Sequence, residues 1–166
     1  MMTTANANTV VRNYPGAGAF LNYGRQFYEG AEIIHANKAQ STPVLYSMYF
    51  HAVECLLKAY LTARGIERWG HNLSELCAEA QQLGLQIDRD KAGGHDLHNV
   101  AALLGADKGD AGFRYFTWES RSMPELAWTR EVVADLLRAV ASFVESTTDK
   151  TRAGVPVKFD ITMKVV

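Results

Sequence analysis

This chain is short of nearly everything that announces a chemistry. Only two cysteines occur, Cys55 and Cys77, at no metal-ligand spacing. Both fall on apolar stretches of apparent helices, which reads as buried free thiols in a reducing cytosol. There is no glycine-rich phosphate loop. The stretch from Gly105 to Gly112 lacks the lysine and the serine or threonine that such a loop needs. No GxSxG elbow presents a serine nucleophile, and no HExxH helix presents zinc ligands. Formal net charge is -1, so no whole-molecule field attracts nucleic acid, and any anion site has to be a local patch. No apolar run approaches the ~20 residues needed to cross a bilayer. Residues Met1 to Asn8 lack the basic and apolar regions of a secretory signal. The expectation is a cytoplasmic protein with no membrane partner, no cofactor and no resident metal.

What is present is helix periodicity. The chain has 166 residues, enough for one domain with a substantial core but not for two. After a polar, glycine-rich stretch with a turn at Tyr14-Pro15-Gly16, Phe20, Tyr23, Phe27, Ala31 and Ile34 recur at helical steps, predicting a helix over about 19–39. Thr42 as cap and Pro43 at the first helical position open a second helix, running to about Arg64 before Gly65. On it, His51, Glu54 and Lys58 share one stripe, and Glu54 precedes Lys58 by the four residues that favour an ion pair. Asn72-Leu-Ser-Glu75 has the form of a capping box and starts a third helix, which Gly84 stops. A shorter helix follows from about Asp96 to Leu104. The last runs from Ser122 to Pro124, with Glu125 in its first turn, to about Glu145.

The tail changes period. From Val155 to Val165 every odd position is apolar, the pattern of a half-buried strand. Such a strand needs an edge to pair with, either Thr9 to Arg12 of this chain or a second copy. The expected architecture is therefore all-α, an up-and-down bundle of four to five helices with a short C-terminal β-strand. It divides into an N-terminal extension (1–18), a helical domain (19–147) and a tail (148–166).

Glu54-x-x-Leu57-Lys58-Ala59, followed by Gly70-His71-Asn72-Leu73-x-x-Leu76, resembles the HEPN superfamily, and Phe113-Arg114-Tyr115 before the last helix looks like the Arg-Tyr block many members carry. The resemblance implies a homodimeric helical bundle. Many members are metal-independent ribonucleases of toxin–antitoxin, phage-defence or RNA-processing systems. Others are binding modules, often encoded beside a nucleotidyltransferase. Catalytic members place an arginine and a histidine four to six residues apart in a cleft between two chains. Arg64 and His71 meet that spacing, but Gly65 follows the arginine where a polar residue is usual. After Arg114 the chain reads Tyr-Phe-Thr-Trp-Glu-Ser-Arg, with no histidine. The resemblance thus implies a divergent member with a lost or rearranged nuclease motif.

Each of these residues has a bland reading beside the sharp one. His71 is either a general acid or base for a ribose hydroxyl, with Arg64 steadying the phosphorane, or a residue that packs before a helix cap. Arg68 and Trp69 either hold a phosphate and stack a base or decorate a helix end. Arg114 and Tyr115 form either a nucleotide shelf or an ion-paired anchor for their loop. His95 and His98 flank Asp96, but helix-start histidines beside an Asp cap account for them without metal. The function expected first is a dimeric binding module for RNA, a nucleotide or a cognate protein such as a nucleotidyltransferase or antitoxin, without catalysis. The alternatives are a metal-independent endoribonuclease using His71 with Arg64 or Arg114, and an interaction protein that docks through its C-terminal strand.

Overall fold

The computed structural model describes residues 14–37, 42–88, 96–105 and 122–152. They form five helices: α1 (Ala17–Ala36), α2 (Thr42–Ala63), α3 (Leu73–Gln82), α4 (Leu97–Gly105) and α5 (Leu126–Arg152). The all-helical expectation holds for these residues, among which there is no strand. The anticipated strand over 155–165, its proposed partner Thr9 to Arg12, and the Phe113-Arg114-Tyr115 block all lie outside them.

α2 is the hub, because its apolar residues cover most of its circumference. Tyr49, Phe50, Val53, Leu56, Leu57 and Leu61 are fully buried, as expected for a helix surrounded by others. α1 runs antiparallel to it. Phe27 stacks on His51 with ring centroids 5.1 Å apart, and Gly30 lies against Met48. Glycine at position 24 allows the close approach: a Cβ there would sit 2.8 Å from Leu56 Cγ. α5 runs parallel to α2. The Tyr46 hydroxyl donates to the Pro124 carbonyl at 2.6 Å, and Tyr60 meets the Phe143 ring further along. α3 and α4 form a second hairpin packed on α2, with Gly105 against Leu73.

Two helix ends behave as the glycines predict. At the end of α2, Gly65 has φ of +79°, its N–H donates to the Thr62 carbonyl, and the Ile66 N–H donates to Leu61. Gly84, with φ of +94°, repeats the pattern after α3, with Leu85 N–H donating to Ala80. Both are Schellman motifs, in which a left-handed residue lets the chain reverse while satisfying the last carbonyls. Asn72 caps α3 by accepting from Ser74 N–H at 3.1 Å and Glu75 N–H at 3.3 Å. Only this half of the capping box forms among the described contacts.

α5 departs most from expectation. It starts at Leu126, after Pro124 and Glu125, and continues to Arg152. Glu125 sits before the helix, where its carbonyl accepts from the Thr129 N–H and hydroxyl. The polar run past Glu145 carries no apolar period, yet it stays helical. Thr147 and Thr148 turn their hydroxyls back onto the carbonyls four residues earlier, Phe143 and Val144, both at 2.8 Å. That local bond satisfies each hydroxyl within the helix itself.

Candidate functional site

The site is built where the α2–α3 loop returns along α2. From Glu54 to Arg64 is ten residues, about 15 Å of helix. After the reversal at Gly65, the loop covers that span and brings His71 back beside Glu54. Tyr14, just ahead of α1, pins the loop midway. Its hydroxyl donates to the Arg68 carbonyl at 2.8 Å and accepts from the Arg68 N–H at 2.9 Å. The Tyr14 ring also meets Phe20 and stands edge-on to Trp69 at 4.8 Å.

At the centre lies Glu54, 6% exposed, paired with Lys58, 5% exposed. Lys58 Nζ donates to Glu54 Oε1 at 2.7 Å and lies 6.0 Å from the Phe20 ring centroid. The four-residue spacing alone favours a pair worth about 0.2–0.5 kcal/mol on an isolated helix. The structure buries it instead, because α1 and the returning loop cover that face of α2. A buried pair is costly to form and costlier to half-remove.

His71 completes the cluster. Its Nδ1 lies 2.8 Å from the same Glu54 oxygen, while its side chain stays 57% exposed. His51, one turn back on α2, has Nδ1 3.9 Å from the other Glu54 oxygen. The shared stripe of His51, Glu54 and Lys58 is thus as expected. An ionised carboxylate only accepts hydrogen bonds, so with Glu54 charged against Lys58 the proton belongs on His71 Nδ1. The neutral ring then carries an acceptor at Nε2, which has no partner among the described residues.

The other candidates separate. Arg64 Nη2 donates to the Tyr60 hydroxyl at 2.9 Å, which donates to the Leu83 carbonyl, and its guanidinium lies 4.8 Å from the Phe143 ring centroid. Six residues of helix put position 64 about 120° around the axis from Lys58. Arg64 therefore clasps α2, α3 and α5 together on another side of the hub, and its contacts do not join it to His71. Arg68 makes a two-pronged pair with Glu79 of α3, with Nε to Oε2 at 2.7 Å. Trp69 is 54% exposed. A small hollow of about 150 Å³ lies between this loop and α3, lined by Arg68, Gly70, Asn72, Glu75, Leu76 and Glu79. Arg114 and Tyr115 lie outside the described residues, as does His95. His98 is exposed on α4. Among the described residues no group of three or more His, Cys, Asp or Glu side chains could hold a metal ion.

Sequence reasoning missed Tyr14, read only as part of a turn, and a second carboxylate cluster. Glu32 of α1 accepts from Tyr49 of α2 at 2.8 Å and from Arg130 of α5 at 3.0 and 2.5 Å. The arginine bond holds the Glu32 carboxyl below its usual range, and burial followed by the glutamate bond pushes the Tyr49 hydroxyl up. No local signal marks a contact between positions 32 and 130. Of the cysteines, Cys77 is buried and Cys55 is half-buried. Burial, with Glu54 nearby, pushes the Cys55 thiol up to about 11.

No described helix is long and apolar enough to cross a membrane. Comparison with curated proteins gives no match, and comparison with solved structures gives none either. A family model, the HEPN domain, matches residues 17–150, from the start of α1 to within two residues of the end of α5. With its helical hub, returning loop and buried Glu54–Lys58 pair, the chain belongs to the HEPN domain family.

Proposed function

We propose that this protein is a binding module for RNA or a nucleotide that works without catalysis, and that the α2–α3 loop is its contact surface. One observation carries the reading. The loop holds an anchored histidine and an open tryptophan two residues apart, with His71 fixed through Nδ1 to a buried ion pair and Trp69 54% exposed. A fixed polar atom two residues from a half-exposed indole suits a ribonucleotide. The base stacks on the indole, and a sugar hydroxyl meets the imidazole. The loop is also pre-ordered, since Tyr14 and the Arg68–Glu79 pair brace it.

The non-catalytic reading is supported by where the two described arginines near the loop go. An oriented imidazole can act as a general base, but cleaving a phosphodiester also needs cationic help for the phosphorane. Arg64 is committed to Tyr60 and Phe143, and Arg68 to Glu79. The ribonuclease reading is tested by incubating the protein with mixed RNA in EDTA beside His71→Ala. Cleavage that the variant loses would overturn the non-catalytic proposal.

Binding is tested by titrating a labelled single-stranded oligoribonucleotide at several salt concentrations. The expected result is binding weakened by about 1–3 kcal/mol in Trp69→Ala, with a shallow salt slope because Arg64 and Arg68 are already paired. Affinity equal to that of a neutral control protein sinks the reading. It would move attention to a cognate protein partner. A homodimer, as the family resemblance implies, belongs to this proposal. A monomer in sedimentation equilibrium would remove that part.

A further inference from the structure

Of the four large apolar side chains that stand exposed among the described residues, three lie on the α1–α2 hairpin: Tyr23 at 50%, Ile33 at 62% and Val44 at 46%. Tyr23 opens a stripe on α1 that continues through Phe27, Gly30 and Ile34. Val44 opens one on α2 that continues through Met48, His51 and Cys55. Both stripes step by four, three and four residues, the spacing of a seam along which helices pack against a further pair. The stripes lie side by side. Phe27 stacks on His51, and Met48 crosses Gly30, where a Cβ would sit 2.5 Å from the methionine Cε. They face away from α5, which α1 meets through Arg25 and Glu32. Phe27, Ile34, Met48 and Cys55 are only partly buried. A continuous apolar face of this kind marks an interaction surface.

We propose that this face seats a second copy of the chain, hairpin against hairpin, so that two α1–α2 pairs make a four-helix seam. This rests on the dimer named in the reading above and says where the second copy sits. Three features single out a second copy as the occupant. The eight stripe positions include no Lys, Arg, Asp or Glu, so identical faces meet without opposing like charges. The antiparallel hairpin carries the same spacing up one helix and down the other, so the face matches itself under the two-fold of an isologous dimer. The Phe27–His51 and Gly30–Met48 contacts fill the floor of the seam, leaving a shallow face rather than a cleft for a small ligand. The area is also sufficient. α1 has 20 residues and α2 has 22. A face two helices wide and about 30 Å long covers roughly 600 Å² per copy, the lower end of what a specific dimer buries.

The experiment is sedimentation equilibrium of the full chain over a range of concentrations. Wild type is expected to be a dimer that dissociates on dilution. Tyr23→Glu/Val44→Glu puts one sign of charge at opposite ends of the seam, and each substitution enters a two-fold interface twice. The double variant is expected to raise the dissociation constant by about a hundredfold or more. Both side chains are half-exposed in the single chain, so the fold is expected to persist, with circular dichroism and melting temperature as the check. Should the double variant melt early, each single substitution serves, at about tenfold. Ser142→Glu adds the same charge at an exposed position of α5, off the face, and is expected to leave the constant unchanged. A dimer equally tight in wild type and the double variant overturns this seat and leaves the dimer standing. Equal weakening by Ser142→Glu overturns the seat as well, since charge alone then explains the loss. Wild type that stays monomeric at every concentration overturns both the seat and the dimer.

Discussion

Two carboxylates anchor this bundle, and they are arranged in opposite ways. Glu32 draws its partners from two other helices, Tyr49 on α2 and Arg130 on α5. Both donate to the same carboxylate, which stays partly exposed between the helices. Glu54 takes Lys58 from its own helix and His71 from a loop, and the histidine leaves one nitrogen facing solvent. The first arrangement ties three helices together. The second uses an equally ordered pair to aim an exposed group. Burial alone does not mark a site here. The distinguishing feature is an ordered residue with an unspent valence.

The comparison breaks most sharply at Lys58. Lys58→Met leaves Glu54 buried with His71 as its remaining close partner. It is expected to cost about 3 kcal/mol, the lower end of the range for half-removing a buried pair. The double variant Glu54→Gln/Lys58→Met is expected to fall within about 1 kcal/mol of wild type in urea unfolding. Equal losses in the single and double variants would mean that the pair is not a coupled unit.

Glu32→Gln comes next, at about 1–2 kcal/mol, because its network is only partly buried and solvent screens it. Its pH dependence has a definite sign. The Glu32 carboxyl is held below its ordinary value of 4.5 by Arg130. The contribution is therefore complete above that value and disappears as pH falls through the lower folded value. Wild type should lose more stability than Glu32→Gln when acidified across this window, and parallel curves would refute the assignment.

Arg64→Ala should cost about 1 kcal/mol through the lost clasp on Tyr60 and Phe143. It should leave oligoribonucleotide affinity unchanged. A large loss of affinity with intact stability would put Arg64 back beside His71 as a ligand contact. The smallest effect concerns the thiols. With the Cys55 thiol pushed up to about 11 and Cys77 buried, native protein at neutral pH should react very slowly with iodoacetamide, far slower than in guanidinium. Rapid modification of Cys55 would mean that the α2 face near Glu54 opens readily.

Much of the scaffold was readable from local chemistry. Gly65 and Gly84 end their helices in left-handed turns, and Asn72 caps α3, because capping depends on a few adjacent residues. The limits of α5 are not legible, because its last turns, past Glu145, carry no apolar period, and Thr147 and Thr148 simply satisfy their hydroxyls on the carbonyls four residues back. At the site, spacing put His51, Glu54 and Lys58 on one stripe, and His71 was singled out. The depth of the pair was hidden, since four-residue spacing is the same on a wet or a dry face. Which arginine serves the site was hidden as well. Arg64 and Arg68 are near His71 in sequence, yet one is carried around the helix axis and the other is taken by Glu79. The Glu32–Arg130 contact depends on how α1 and α5 cross, which no local pattern encodes.

The Tyr14 hydroxyl, bonded to both the N–H and the carbonyl of Arg68, has a consequence for affinity. It divides the span between α2 and α3 into two shorter arcs. Each halving of a flexible loop removes roughly 0.6 kcal/mol of closure entropy. A ligand that settles on Trp69 and His71 meets a surface whose ordering cost was met when the chain folded. Tyr14→Phe would keep the ring contacts and remove only that tether. Its signature would be weaker binding with a more unfavourable entropy, from a residue that never touches the ligand.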